Sequence, residues 1–139
     1  MTFEERRVWI YTAIALIIPV IYTAIIATRL TDTPPEHITY TRPLLIAIGT
    51  ALAANLLLTV IAGALWPRDA HLRDERDTEI DRRGLRWEFI ALAIGAAAAL
   101  ALTLTRADHF WIAHTLYLGF VLSALTSSAA RIIAYRRGM

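Results

Sequence analysis

R-D-A-H-L-R-D-E-R-D-T-E-I-D-R-R-G-L-R, from Arg68 to Arg86, is the one strongly charged stretch in a 139-residue chain that is otherwise 57% hydrophobic. It separates two apolar blocks before it from two after it. Each block is close to the roughly 20 helical residues needed to cross a hydrocarbon core of about 30 Å. The spans fall at about 8–28, 44–66, 87–105 and 110–134, with the charged loop at 67–86. The pattern predicts an all-α fold: an integral membrane four-helix bundle of two transmembrane hairpins joined by a charged helical loop. A single transmembrane domain accounts for residues 1–139.

A soluble domain with a mean hydropathy of +0.50 would carry more apolar surface than its interior could hide, whereas lipid absorbs the excess directly. The first block is too long for the apolar region of a secretion signal, follows Glu4, Glu5, Arg6 and Arg7, and lacks a small-x-small cleavage site, so it is expected to stay as an anchor. There is no cysteine, which removes disulfides, thiolate metal sites and cysteine nucleophiles. All 14 basic side chains are Arg, which removes a Schiff-base lysine.

Arginines in a membrane protein report topology first. Arg6 and Arg7, Arg68, Arg73, Arg76, Arg82, Arg83 and Arg86, and Arg131, Arg136 and Arg137 fall on one side, leaving Arg29, Arg42 and Arg106 opposite. The positive-inside rule then places both termini and the charged loop in the cytoplasm of a multi-pass protein. The acids of the loop cancel its bases, so no direct nucleic-acid contact is expected.

Thr2 and Glu5 form a capping box ahead of the first span, and Pro19 near its middle predicts a kink. The outer connection T-D-T-P-P-E-H-I-T-Y-T-R-P is rich in turn formers and is expected to end at Pro43. Trp9, Trp66, Trp87 and Trp111 all fall at expected interfaces. The turn from Arg106 to His109 is so short that the third and fourth helices must be antiparallel neighbours.

Ala47, Ala51, Asn55, Thr59 and Gly63 recur at a spacing of four in the second span, Ala91, Gly95 and Ala99 in the third, and Thr115, Gly119, Ser123 and Ser127 in the fourth. Such stripes allow close helix packing where lipid supplies no hydrophobic drive between helices. Asn55, Gly63, Gly95 and Gly119 are therefore the expected packing residues, and three such faces leave room for a homodimer. A weak internal repeat, in which I-A-I-G of the second span parallels L-Y-L-G of the fourth, suggests duplicated hairpins.

Leu72 to Arg83 reads as a helix, with Arg73–Asp77 and Glu79–Arg83 as opposite-charge pairs and Gly84 as its stop. Asp74, Asp77 and Asp81 would share one face. That face can hold a divalent cation, form a salt-bridged spur, or dock a cytosolic protein. The spacing matches no EF-hand, and no metal is assigned.

The run D-E-R-D-T-E-I-D-R-R-G, Asp74 to Gly84, resembles the signature of a bacterial group of small membrane proteins of unknown function, whose cytosolic loop carries D-E-R-D/E followed by a spaced Ile. The matching residues are Asp74, Glu75, Arg76, Asp77 and Ile80. The resemblance implies the bacterial inner membrane, no established catalytic residue, and a regulatory role. Members are often encoded beside helix-turn-helix regulators, so it also implies a cytosolic partner such as a transcription regulator.

Asn55 is the one strongly polar side chain near mid-depth, and an interhelical hydrogen bond is its expected role. His114 is expected to face an outer vestibule, near Asp108, His109 and His37, a set that could bind zinc although no metalloprotease spacing is present. No Asp, Glu or Arg lies centrally in a span, which argues against ion-coupled pumping. With no phosphate loop, triad or acid/base pair, neither catalysis nor a cofactor is expected. The sequence thus points to a non-enzymatic membrane protein that docks a partner through Asp74, Glu75, Arg76, Asp77 and Ile80. The alternatives are a small oligomeric channel or exporter, and an accessory subunit of a larger membrane complex.

Overall fold

The protein, described here by a computed structural model over residues 3–65 and 75–137, is all-helical. Helix α1 spans Phe3–Leu30, α2 Thr41–Leu65, α3 Glu75–Leu104 and α4 His109–Arg136. All four are long and apolar enough to cross a membrane. Phe89 and Leu104 are 73% and 77% exposed, and many Leu and Ile side chains of α2 are exposed alike. In water such a belt would be an aggregation surface, whereas in lipid it is in its own solvent. Continuous helices satisfy every interior backbone donor within the segment, which the hydrocarbon requires.

The helices pack in the order α3, α4, α1, α2. Helix α4 is central, meeting α3 along its length and α1 on another face, while α2 packs chiefly against α1. The contacts Trp9–Arg136 and Asp77–Tyr135 gather the start of α1, the start of α3 and the end of α4 at one end of the molecule. Tyr22, Tyr40, Phe110 and His114 gather at the other. There Tyr22, Ile26, Ile38, Ala47 and Phe110 form the buried core that ties α1, α2 and α4 together.

The expected close-packing of α3 and α4 is present as backbone on backbone. A Cβ built on Gly95 would lie 2.5 Å from the Cα of Gly119, and one built on Gly119 would lie 2.9 Å from the Cα of Gly95. The turn between these helices closes with Ala107 N–H donating to Leu102 C=O at 3.0 Å, a Schellman arrangement. Its left-handed position, ordinarily glycine, is held by Arg106 at φ 56°. The side chain of Asp108 then accepts from Phe110 N–H at 2.8 Å and caps α4.

Several expectations are corrected. Gly84 does not stop a helix, since α3 runs unbroken from Glu75 to Leu104. The charged loop helix and the third span are one rod. Gly84 is there for close approach instead, because a Cβ on it would run into Nε and Cγ of Arg131. The α2 stripe packs at one end only: Ala47 is buried, but Gly63 is exposed, and a Cβ there would meet nothing within 4 Å. The sequence parallel between Gly49 and Gly119 does not extend to packing, for a Cβ on Gly49 also meets nothing within 4 Å. The outer connection carries a 3-10 turn at Pro35–His37 and ends before Thr41, so Pro43 lies in the first turn of α2. A proline in a first turn forfeits no intrahelical hydrogen bond. Pro19 lies inside α1, which is continuous through it. The Thr2 cap, Trp66, Arg73 and Asp74 lie outside the described residues.

Candidate functional site

The α4 stripe does not end at Ser127. Continued at the same spacing it reaches Arg131 and Tyr135, and each of these meets a carboxylate of α3. Ser127 Oγ donates to Glu88 Oε2 at 3.0 Å. Arg131 Nε faces Asp81 Oδ1 at 3.4 Å. Tyr135 Oη donates to Asp77 Oδ1 at 3.0 Å. The seam that begins as Gly95 against Gly119 thus becomes a polar ladder as it nears the end of the molecule where both termini lie. Gly84 sits between the rungs, and its missing side chain is what lets the Arg131 guanidinium stem lie across α3.

Burial makes these contacts consequential. Ser127 and Ser128 are each 1% exposed, and the side chains of Arg131 and Asp81 are 20% and 29% exposed. An ion pair so sheltered is screened far less than one on the surface. Arg131 Nε is buried and lacks a hydrogen bond of good geometry, so its tie to Asp81 is chiefly coulombic. Tyr11 of α1 comes within the electrostatic reach of Glu88 and Arg131, which brings a third helix to the cluster.

The residues expected to dock a partner divide between two environments. Glu75 and Arg76 are exposed, whereas Asp77 is half-buried against Tyr135, and Ile80 is 2% exposed, close to the buried Ala134 of α4. Ile80 is therefore a seam residue in this fold. Asp77 and Asp81 do share a face, as the sequence suggested, but α4 occupies it. The expected Glu79–Arg83 pair is present at 3.2 Å. Among the described residues no group of three potential metal ligands assembles.

His114 lines an open cleft of about 490 Å³ between α1 and α4, as expected, but it is held there by neighbouring rings rather than by other metal-ligating groups. Its ring stacks on Phe110 at 4.0 Å between centroids and lies edge-on to Tyr40 at 5.2 Å. Its Nδ1 is 2.7 Å from the carbonyl of Phe110, which can only accept, so Nδ1 carries a proton. In the neutral ring Nε2 then accepts from Tyr22 Oη at 2.8 Å. This links α4 to α1 at the outer core. His37, beside Glu36, and His109 are both exposed, and Asp108 serves as the α4 cap, so the four outer residues are not drawn together. Asn55 is half-buried at the edge of a cleft between α1, α2 and α4.

Glu88, Arg131 and Tyr135 are the site residues the sequence reading passed over. The signal that marks Arg131 and Tyr135 is the four-residue register from Thr115 through Ser127, which continues unbroken into the charged tail. No protein-family model, curated protein or solved structure matches the chain.

Proposed function

We propose that this chain is a non-enzymatic, multi-pass protein of a bacterial inner membrane, with both termini in the cytoplasm, that docks a cytosolic protein through the exposed charged turns at the start of α3. The observation that supports this reading is continuity. The turns from Glu75 to Arg83 are the direct extension of a membrane-crossing helix, and the ladder to Tyr135 and Arg131 clamps them to the end of α4. A partner held there is joined to the membrane part without a flexible link. The charged resemblance over Asp74 to Ile80 and the arginine asymmetry favour the same side and the same role.

Glu75 and Arg76 are exposed and test the docking without opening the seam. In a pull-down from the native host, exchanging them as Glu75→Arg with Arg76→Glu is expected to remove the cytosolic partner while the protein's own yield and helicity stay unchanged. An unaltered partner list would overturn the docking.

The proposal extends to a homodimer through α2. That helix packs chiefly on α1 and leaves Gly49 and Gly63 facing open space. Small residues with nothing of their own chain above them suit a helix from a second copy. The mass of the protein in mild detergent, read by light scattering, is expected to be that of two chains and to fall to one on Gly63→Leu. A single-chain mass for the unaltered protein would count against it.

A further inference from the structure

The cleft between α1, α2 and α4, about 390 Å³ in volume, adjoins the charged seam at Tyr11 and otherwise runs away from it. Its walls are aliphatic and aromatic, with Ile14, Pro19, Leu52 and Val121 among them, and it is lined by no charged side chain. Three polar side chains open into it: Tyr11, Asn55 and Tyr117. All three are half-buried, and among the described residues their side-chain polar atoms make no hydrogen bond, while the Tyr11 phenol lies within the electrostatic reach of Glu88 and Arg131. Thr59 binds the backbone carbonyl of Asn55 and leaves its amide untouched. For Asn55 and Tyr117, set deeper in hydrocarbon, an unmet polar group costs free energy, and no water is at hand to relieve it.

The three groups are graded in depth. Tyr117 packs edge-on to Tyr22 with ring centroids 5.1 Å apart, and Ala47 lies in the same core cluster as Tyr22. At 1.5 Å of rise per residue, Asn55 lies about 12 Å along α2 from Ala47, and Tyr11 about 16 Å along α1 from Tyr22. Asn55 therefore sits between the two phenols, in the middle of the hydrocarbon, with Tyr11 nearer the end that holds the termini.

From this arrangement we propose that the cleft binds an isoprenoid quinone, with the ring carbonyls accepting from the Asn55 amide and the Tyr11 phenol, and the tail lying along the apolar wall toward Tyr117. Three chemical features select this class. All three side chains can donate, and two of them are phenols, so carbonyl acceptors on the ligand are well met. The lining carries no charge, so the ligand is neutral. Asn55 is at mid-depth, where a phospholipid's ester carbonyls cannot reach without dragging a charged headgroup into hydrocarbon. A quinone dissolves in the bilayer whole and brings two opposed carbonyls on one flat ring. Pockets of this size, largely apolar with a few directed polar groups, are the usual form of small-molecule sites.

The test uses the full chain in nanodiscs of neutral phospholipid, with an azido-benzoquinone bearing a decyl tail as the probe and mass spectrometry to locate the label. Labelling is expected to saturate, to fall on the cleft walls of α1, α2 and α4, and to be competed by unlabelled decyl-benzoquinone but not by excess phospholipid. Asn55→Leu is expected to raise the half-saturating concentration at least tenfold. Ala124→Leu, which fills the cleft and alters no polar group, is expected to abolish saturable labelling, and it decides the matter should the Asn55 variant not fold. Labelling that rises linearly with probe, or that phospholipid competes equally, would overturn the proposal. So would a change of oligomeric mass on Asn55→Leu, since the amide would then be serving a second copy. None of these results depends on whether the charged end docks a partner.

Discussion

Gly119→Leu is expected to prise α4 from α3 and to lower stability by about 2–4 kcal/mol, the upper range for overpacking a closed interface. The obstacle is main chain: a Cβ at this position already lies 2.9 Å from the Cα of Gly95, and no rotamer of a neighbour can make way. Even Gly119→Ala should be destabilising, although alanine is worth up to about 1 kcal/mol over glycine in a helix interior. Gly49→Ala supplies the control, because a Cβ there meets nothing within 4 Å and only the gain in helix propensity remains. Titration of the protein in mild detergent with dodecyl sulfate, followed by far-ultraviolet circular dichroism, separates the cases. Equal midpoints for Gly119→Ala and Gly49→Ala would show that the backbone contact contributes nothing.

Arg131→Leu is expected to cost about 2–3 kcal/mol, somewhat below the range for breaking a fully buried pair because the partners retain 20% and 29% exposure. The loss comes less from the missing attraction than from what stays behind. Asp77, Asp81 and Glu88 all meet α4, and Arg131 is the α4 cation set against Asp81. Replacing both partners, as Asp81→Leu with Arg131→Leu, should recover most of the stability, since two apolar side chains need no desolvation of charge. The same guanidinium explains Gly84. Gly84→Ala should destabilise the unaltered protein and be neutral or stabilising once Arg131→Ala has removed the obstacle, a coupling that a double-mutant cycle reads directly. Additive effects would mean that Gly84 and Arg131 do not touch in the folded protein.

The four membrane-crossing helices were legible because bilayer thickness imposes a length and because the breaks are charged or rich in proline. The pairing of α3 with α4 was legible for a different reason: the four residues from Thr105 to Asp108 leave the chain nowhere else to go. Gly95 and Gly119 could be recognised as packing residues, but not as partners of each other. Register between helices is set by both surfaces at once and is not written in either stripe alone.

Gly84 misled for a related reason. A glycine after a charged helix is a natural stop by local rules, and its role beneath Arg131 is visible only when α4 is beside it. Gly63 misled in the opposite sense, being a small residue in perfect register that meets no neighbour within 4 Å among the described residues. Ile80 fell within a charged signature that favours exposure, yet its position between Asp77 and Asp81 turns it into the seam. His114 reads as a polar residue seeking solvent. The aromatic rings of Phe110, Tyr40 and Tyr22 pack around it at the cleft wall and supply one donor and one acceptor.

The central place of α4 also bears on the order of assembly. Synthesis runs from the amino end, so α1 and α2 enter the bilayer while the surface that will hold α1 does not yet exist. The two early segments must wait as loosely associated lipid-solvated rods until the last stretch is threaded, and the late hairpin, closed by its own tight turn, is the template on which they settle. Truncation before Phe110 would therefore strand the earlier half without its keystone.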